Sequence, residues 1–396
     1  MKILGCFCFW GLTSPFALCQ SYANSGELLW EIDNGKNKSY VWGTLHSNDK
    51  ELFEFPDSVY WAFSRCRRLA LEIDVFDYFL DRDPMLEKRP TLFDKRGKIY
   101  TSSDEPSPTF YGSEDGMPQF MDAFFQEEAE RAGKALVPLE TVGLQTKAFD
   151  GVPLVDQASF GSPSERTMLK TFYLQGKISA IDQIIRARFS QEKLAYLSLI
   201  EKRNSQILEV LLKEIKITTV FCAIGAAHLY GEKGIIQLLR LRGCKVRRMD
   251  LRRSGAKDVK GFPTNRQYEL LDSLEGSVFK ATFPGVPRAI SSGWVFKELG
   301  QGNVYKIQWQ ARDTALSLLE CAELFMASPP NCSYILGMLD DGTEYVQGLS
   351  DVYLERLAWK RILINARNVV ILSCQGGNKF MNSDRPSRFF NSVVLE

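Results

Sequence analysis

The chain has 396 residues, more than one domain usually holds, and 45% hydrophobic with 12% aromatic content is enough for packed cores and excludes general disorder. Lys and Arg total 49 against 48 Asp and Glu, so the basic excess that a nucleic-acid binder normally carries is absent. No nucleic-acid partner is expected.

The N-terminus reads as an export signal over residues 1–23. Lys2 precedes an apolar, aromatic-rich stretch from Ile3 to Leu18, with small residues Ser21 and Ala23 at plausible cleavage positions. Thr13, Ser14 and Pro15 interrupt that stretch, and no other run of about twenty apolar residues exists, so no transmembrane helix is expected in the mature chain. The protein is expected in the periplasm or secreted. Cys19 leaves open a lipoprotein anchor, against which stands the large Leu18 before it. Six cysteines remain beyond that segment, with no Cys-x-x-Cys spacing. Disulfides and buried thiols are both open.

In chain order, residues 28–32 (LLWEI) and 39–43 (SYVWG) read as two strands joined by an Asn34-Gly35 turn. Gly43-Thr44-Leu45-His46 follows at once. Pro56 opens an amphipathic helix, and residues 68–75 (RLALEIDV) read as a strand carrying Glu72 and Asp74. Residues 81–118, polar and rich in Pro, Gly and Ser, read as a long excursion. A helix over 119–132 leads to a strand over 135–140 that arrives at Glu140, and two or three helices follow between 164 and 215. A buried strand over 218–225 then runs into Ala226-Ala227-His228, followed by a helix over 234–242 and a strand over 245–249. Strands alternating with helices give an α/β domain over 24–252. Residues 253–264 read as a linker. From 265 to 396, strands with one or two helices read as a smaller α+β accessory domain with an antiparallel sheet.

His46 and His228 are the only histidines in the chain, and each follows a Gly by three positions just after an apolar strand. A Gly there lets the backbone turn and leaves room for a ligand. The histidine then projects into the crevice at the strand's C-terminal edge, where α/β proteins bind ligands. Neutral imidazole suits zinc, manganese, cobalt or iron, and a carboxylate as third ligand leaves a position open for water. No Gly-x-Ser-x-Gly elbow and no phosphate-binding loop competes with this reading. Cys222, inside an apolar strand, reads as core.

The runs LLWEI, SYVWGTLHSND and FPDSVYWAFSRCRRLALEID resemble the start of the TraB/PrgY/GumN family, which includes the Tiki metalloproteases. An Asp-centred helix at Met121-Asp122, then LET with Gln145, YLQG (173–176), Arg203-Asn204 and AIGAAHLYGEKGIIQLLRLRGCKVRRM, continue the resemblance in order over about 27–250. It implies a Tiki-like, erythromycin-esterase-like α/β fold of two related halves, each giving one Gly-x-x-His, and metal-dependent hydrolysis of a peptide or protein substrate. On it, His46, His228 and Glu72 are the metal ligands, and Glu72, Glu140 and Arg203 the catalytic candidates. Whether Glu72 or Glu140 is the base stays open. Arg203 is read either as an oxyanion or substrate-carboxylate group or as a buried ion pair. Gly43, Thr44, Gly225, Gln145, Tyr173 and Asn204 are expected around substrate or behind the ligands. The alternative is a non-catalytic peptide- or haem-binding protein of the same fold. The C-terminal pattern, with Phe279 to Pro284, Tyr305 and Phe389-Phe390, weakly resembles PsbP-like modules, which implies a binding or tethering role.

Overall fold

The computed structural model describes residues 22–47, 49–81, 120–149, 163–190, 193–252, 266–271, 278–312, 317–326, 334–339, 341–353, 356–364 and 368–395. β1 (Leu29–Asp33) and β2 (Lys38–Thr44) form the expected hairpin. Gly35 takes φ +84° in its turn, a conformation that glycine adopts without a Cβ penalty, and Asn34 Oδ1 accepts the Lys36 and Asn37 N–H groups.

α1 (Asp57–Arg65), β3 (Arg68–Leu71), α2 (Val75–Asp81), α3 (Met121–Arg131) and β4 (Ala135–Pro138) follow. Next come α4 (Val142–Phe149), α5 (Pro163–Leu174), α6 (Ile178–Arg188) and α7 (Lys193–Tyr196). A π-helical turn, Leu197–Lys202, joins α7 to α8 (Arg203–Ile217). β5 (Val220–Gly225), α9 (Ile235–Leu241) and β6 (Lys245–Arg248) complete this part.

The six strands lie in one sheet, in the order β4-β3-β5-β2-β1-β6. β4, β3, β5 and β2 are mutually parallel, so their C-terminal ends share one edge, while β1 runs antiparallel between β2 and the edge strand β6. The two Gly-x-x-His segments therefore leave neighbouring strands, Thr44 standing opposite Gly225. α3 packs on β3, β4 and β5, and an aromatic cluster of Phe55, Phe63, Phe125 and Phe221 fills that interface. Burial of each such ring contributes about 2–3 kcal/mol.

The strand expected over 68–75 stops at Leu71. Asp74 Oδ1 accepts the Phe76 N–H at 2.9 Å, and Gln126 of α3 takes the Val75 N–H at 2.8 Å, so the chain turns into α2 instead. Beyond Asp81, the expected excursion to 118 lies outside the described residues, as do residues 1–21 of the signal expected over 1–23 and the linker over 253–264.

The second part is mostly β. Its elements are β7 (Arg266–Leu271), β8 (Val278–Phe283), β9 (Arg288–Ile290), β10 (Gly293–Lys297), β11 (Val304–Ala311), α10 (Leu318–Met326), β12 (Tyr334–Met338) and β13 (Glu344–Tyr353). β14 (Arg356–Ile364), β15 (Asn368–Gln375), α11 (Asn378–Met381), α12 (Arg385–Asn391) and β16 (Val394–Leu395) follow. A seven-stranded antiparallel sheet, β12-β13-β14-β15-β11-β10-β9, accompanies a three-stranded one, β16-β8-β7. Phe283, Tyr305, Phe380, Phe389 and Phe390 form the core with them. The two parts are not independent: Leu299, fully buried, belongs to the core of the first.

Cys66, Cys222, Cys244 and Cys374 are buried free thiols, which decides the disulfide question for those four. Among the described residues, no helix is long and apolar enough to cross a membrane.

Candidate functional site

Four parallel strands deliver the site. β2 leads to His46, β5 to His228, β3 to Glu72 and β4 to Glu140. β3 and β4 stay in register past their ends, since the Glu140 N–H donates to Glu72 O at 2.8 Å. The two carboxylates therefore arrive side by side.

Arg203, 6% exposed at the start of α8, bridges them. Its Nε and Nη2 donate to Glu140 Oε2 at 2.8 and 2.7 Å, and Nη2 donates to Glu72 Oε2 at 2.5 Å. Of the two sequence readings of Arg203, the structure displays the buried ion pair. The carboxylates nonetheless shift in opposite directions. Burial alone would raise Glu72, but Arg203, both histidines and the Gly225 N–H on Oε1 at 2.8 Å hold it far below the usual carboxylate range. Burial dominates at Glu140, whose pKa is raised despite the same guanidinium. One cation serves two carboxylates, and Glu140 Oε1 is buried with no hydrogen-bond partner.

His228 is 3% exposed, and its Nδ1 lies 2.7 Å from Asn204 Oδ1. The Asn204 amide is oriented by its NH2 group, which donates to the carbonyls of His228 and Lys233 at 3.3 and 2.8 Å. Its oxygen must then accept, so the histidine proton sits on Nδ1 and the Nε2 lone pair is free. That Nε2 stands 3.6 Å from Glu72 Oε1. Burial, with the charges of Arg203 and His46, outweighs Glu72 and lowers the His228 pKa to about 4, keeping the ring neutral.

His46 is the opposite case. Its side chain is 56% exposed, and Nε2 lies 3.3 Å from Asp122 Oδ2 at the start of α3. Its surroundings disfavour the charge, but the Asp122 carboxylate overrides them and pushes the pKa up to about 9. The pair is an ion contact without hydrogen-bond alignment, which leaves Asp122 Oδ2 buried and without a hydrogen bond.

The motif glycines are explained by close approach, since neither has a positive φ. A Cβ on Gly225 would come within 3.1 Å of Glu72 Oε1, and one on Gly43 within 2.8 Å of Leu229 Cδ1. Tyr173, at the end of α5, donates its hydroxyl to Gly43 O at 2.6 Å. Thr44 Oγ1 is a further buried oxygen without a partner. Gln145 belongs to α4, but its side chain lies outside the described residues. Asp122 was not among the candidates drawn from the sequence. Its signal was a charged residue on the apolar face of α3, beside Met121 and Phe125.

The fold and this edge define an α/β protein with a polar site at the C-terminal ends of parallel strands. The model of the TraB/PrgY/gumN family matches residues 28–101 and 107–248, and the chain belongs to that family. No curated protein matches it. Among solved structures, the chain is similar to the solution structure of cyanobacterial PsbP (CyanoP) from Synechocystis sp. PCC 6803. That likeness has a TM-score of 0.27 and 12% identity, over 36% of this chain and 99% of that one.

Among the described residues, no three His, Cys, Asp or Glu side chains stand together as a ready metal cage. The donor chemistry nevertheless fits a cation. Glu140 Oε1 and Asp122 Oδ2 lack donors, the Nε2 of a neutral histidine faces a carboxylate, and one guanidinium leaves carboxylate charge uncompensated.

Proposed function

We propose that the chain is a hydrolase whose site is the strand edge bearing His46, His228, Glu72 and Glu140, with a divalent metal ion held by His46, His228 and Glu72. The supporting observation is the His228 arrangement: a neutral ring, its proton fixed by Asn204, and its free Nε2 facing Glu72 at 3.6 Å. A bound ion there would lower the pKa of water and polarise a carbonyl.

The chain's own groups divide the remaining work. Glu72, held ionised, suits the role of ligand, and Arg203 fixes its orientation. Glu140, shifted upward, is the better suited to exchange a proton, which makes it the base of choice between the two. Arg203 acts through the carboxylates rather than on an oxyanion.

Peptide bonds are the proposed target, on the resemblance to Tiki metalloproteases. Export goes with this reading. The test is hydrolysis of a peptide library by the full chain, with and without chelator, beside His46→Ala and His228→Ala and with metal analysis of the purified protein. Activity that survives both substitutions would sink the mechanism. One observation favours the alternative of a peptide- or haem-binding protein without turnover: Arg203 occupies both carboxylates. Tight binding that needs His46 and His228, with no product from any library, would establish that alternative.

A further inference from the structure

Helix α3 carries a buried polar stripe. Asp122, Gln126 and Glu130 stand at i, i+4 and i+8, one face of the helix. Asp122 is 4% and Gln126 0% exposed, and the Glu130 side chain is 8% exposed. The upper end meets the site, where Asp122 faces His46. In the middle, Gln126 staples α3 to the segment after Glu72, donating to Asp74 Oδ1 at 2.8 Å and accepting the Val75 N–H. Its Nε2 also reaches Glu130 Oε1 at 3.2 Å.

The lower end meets the second part of the chain. Arg288 of β9 places Nη2 2.7 Å from Asp74 Oδ2 and 3.7 Å from Glu130 Oε1, with its guanidinium 5.3 Å from the centre of the Phe76 ring. One cation thus contacts both carriers of the site: the 72–76 segment, which presents Glu72, and α3, which presents Asp122. The same part of the chain grips α3 again, where the Gly300 N–H donates to Glu127 Oε2 at 2.5 Å and Leu299 enters the core. Burial pushes the Glu130 carboxyl up to about 7, so the guanidinium serves chiefly the buried Asp74 carboxylate, and removing its charge would strand Asp74 Oδ2 and loosen the tie between the 72–76 segment and α3.

We propose that Arg288 is a positioning residue, through which the C-terminal domain sets the placement of Asp122 against His46, while Arg203 and the Gly225 N–H hold Glu72 beside His228. The role expected from the sequence, a binding or tethering module, becomes that of a clamp on the site. The proposal rests on the site assigned above and not on the reaction proposed for it.

Having only two histidines makes the test direct. The imidazole ¹³C–¹H resonances of the full chain are recorded at one fixed pH for wild type, Arg288→Met and Arg288→Lys. Methionine keeps an apolar stem against Phe76 and removes the charge, while lysine keeps the charge. In Arg288→Met the His46 resonance should move by more than its linewidth, because Asp122 shifts. His228, fixed by Asn204 on α8, should hold its position, and Arg288→Lys should return His46 toward wild type. An unmoved His46, equal movement of both rings, or a lysine variant that behaves like methionine would each overturn the proposal. The readout needs no turnover. Absence of hydrolysis would count against the proposed function alone, and a stationary His46 against the clamp alone.

Discussion

Replacing Arg203 with methionine should destabilise the N-terminal α/β domain severely, and the size of the loss follows from what the guanidinium holds. It makes three charged hydrogen bonds at 2.5–2.8 Å to two carboxylates that are each 5% exposed. Glu140 Oε1 already lacks a hydrogen-bond partner, and Glu72 Oε2 would lose its charged bond to Nη2. Removing one partner of a buried ion pair costs about 3–5 kcal/mol, because the other charge stays buried. The loss has a defined pH dependence. Glu72 is depressed below its ordinary 4.5 in the folded state, so its contribution is full above that pH and fades as pH falls toward the folded value. The gap between wild type and Arg203→Met should therefore narrow below about pH 4.5. Urea unfolding followed by tryptophan fluorescence at pH 7.5 and pH 4 reads both quantities. Adding Glu140→Gln to the variant should recover part of the loss, since it removes one stranded charge. A loss below about 1 kcal/mol at pH 7.5, or a gap that does not change with pH, would refute the reasoning.

The remaining expectations are smaller. Asn204→Ala should free the His228 proton to move between ring nitrogens, seen as altered ¹⁵N shifts, and cost about 1–3 kcal/mol for the polar groups left unpaired. Because the His228 pKa is lowered from 6.5 to about 4, the unfolded chain takes up that proton first as pH falls. Its contribution is complete above 6.5 and is lost between 6.5 and about 4, about 3 kcal/mol that should be missing from the acid dependence of His228→Gln. Gly43→Ala must push Leu229 and Ala226 aside and should cost about 1–3 kcal/mol in thermal or urea melts. Burial raises the thiols of Cys66, to about 12, and of Cys222, so mass mapping should find neither labelled by a thiol reagent until the protein unfolds.

How far the site was legible depended on whether its signal was local. His46 and His228 could be read because glycine three positions earlier and an apolar strand before it are features of one short segment. Glu72 and Glu140 are singled out by the family resemblance, and the adjacency of β3 and β4 brings them together. The residues that tie these groups into one network were harder, since their partners are distant in sequence. Arg203 admitted two readings until its contacts were seen, and Asp122, quoted for the resemblance but given no role at the site, lies 76 positions from the histidine it faces. The end of β3 was misplaced for the same reason: Ile73 and Val75 continue an apolar alternation, but Gln126 of a later helix takes the Val75 N–H.

A polar residue on the apolar face of a helix was therefore the most informative signal left unused. Asp122, Gln126 and Glu130 occupy one face of α3 among Ala123, Phe125 and Ala129, all buried. Burying three such groups costs stability unless each has a partner, so their spacing alone implies a line of partners along the helix. At one end that line ends on a histidine, and at the other on an arginine from a domain whose sequence carries no catalytic motif. The same physical rule that explains why these residues are tolerated inside the core also connects the C-terminal domain to the site.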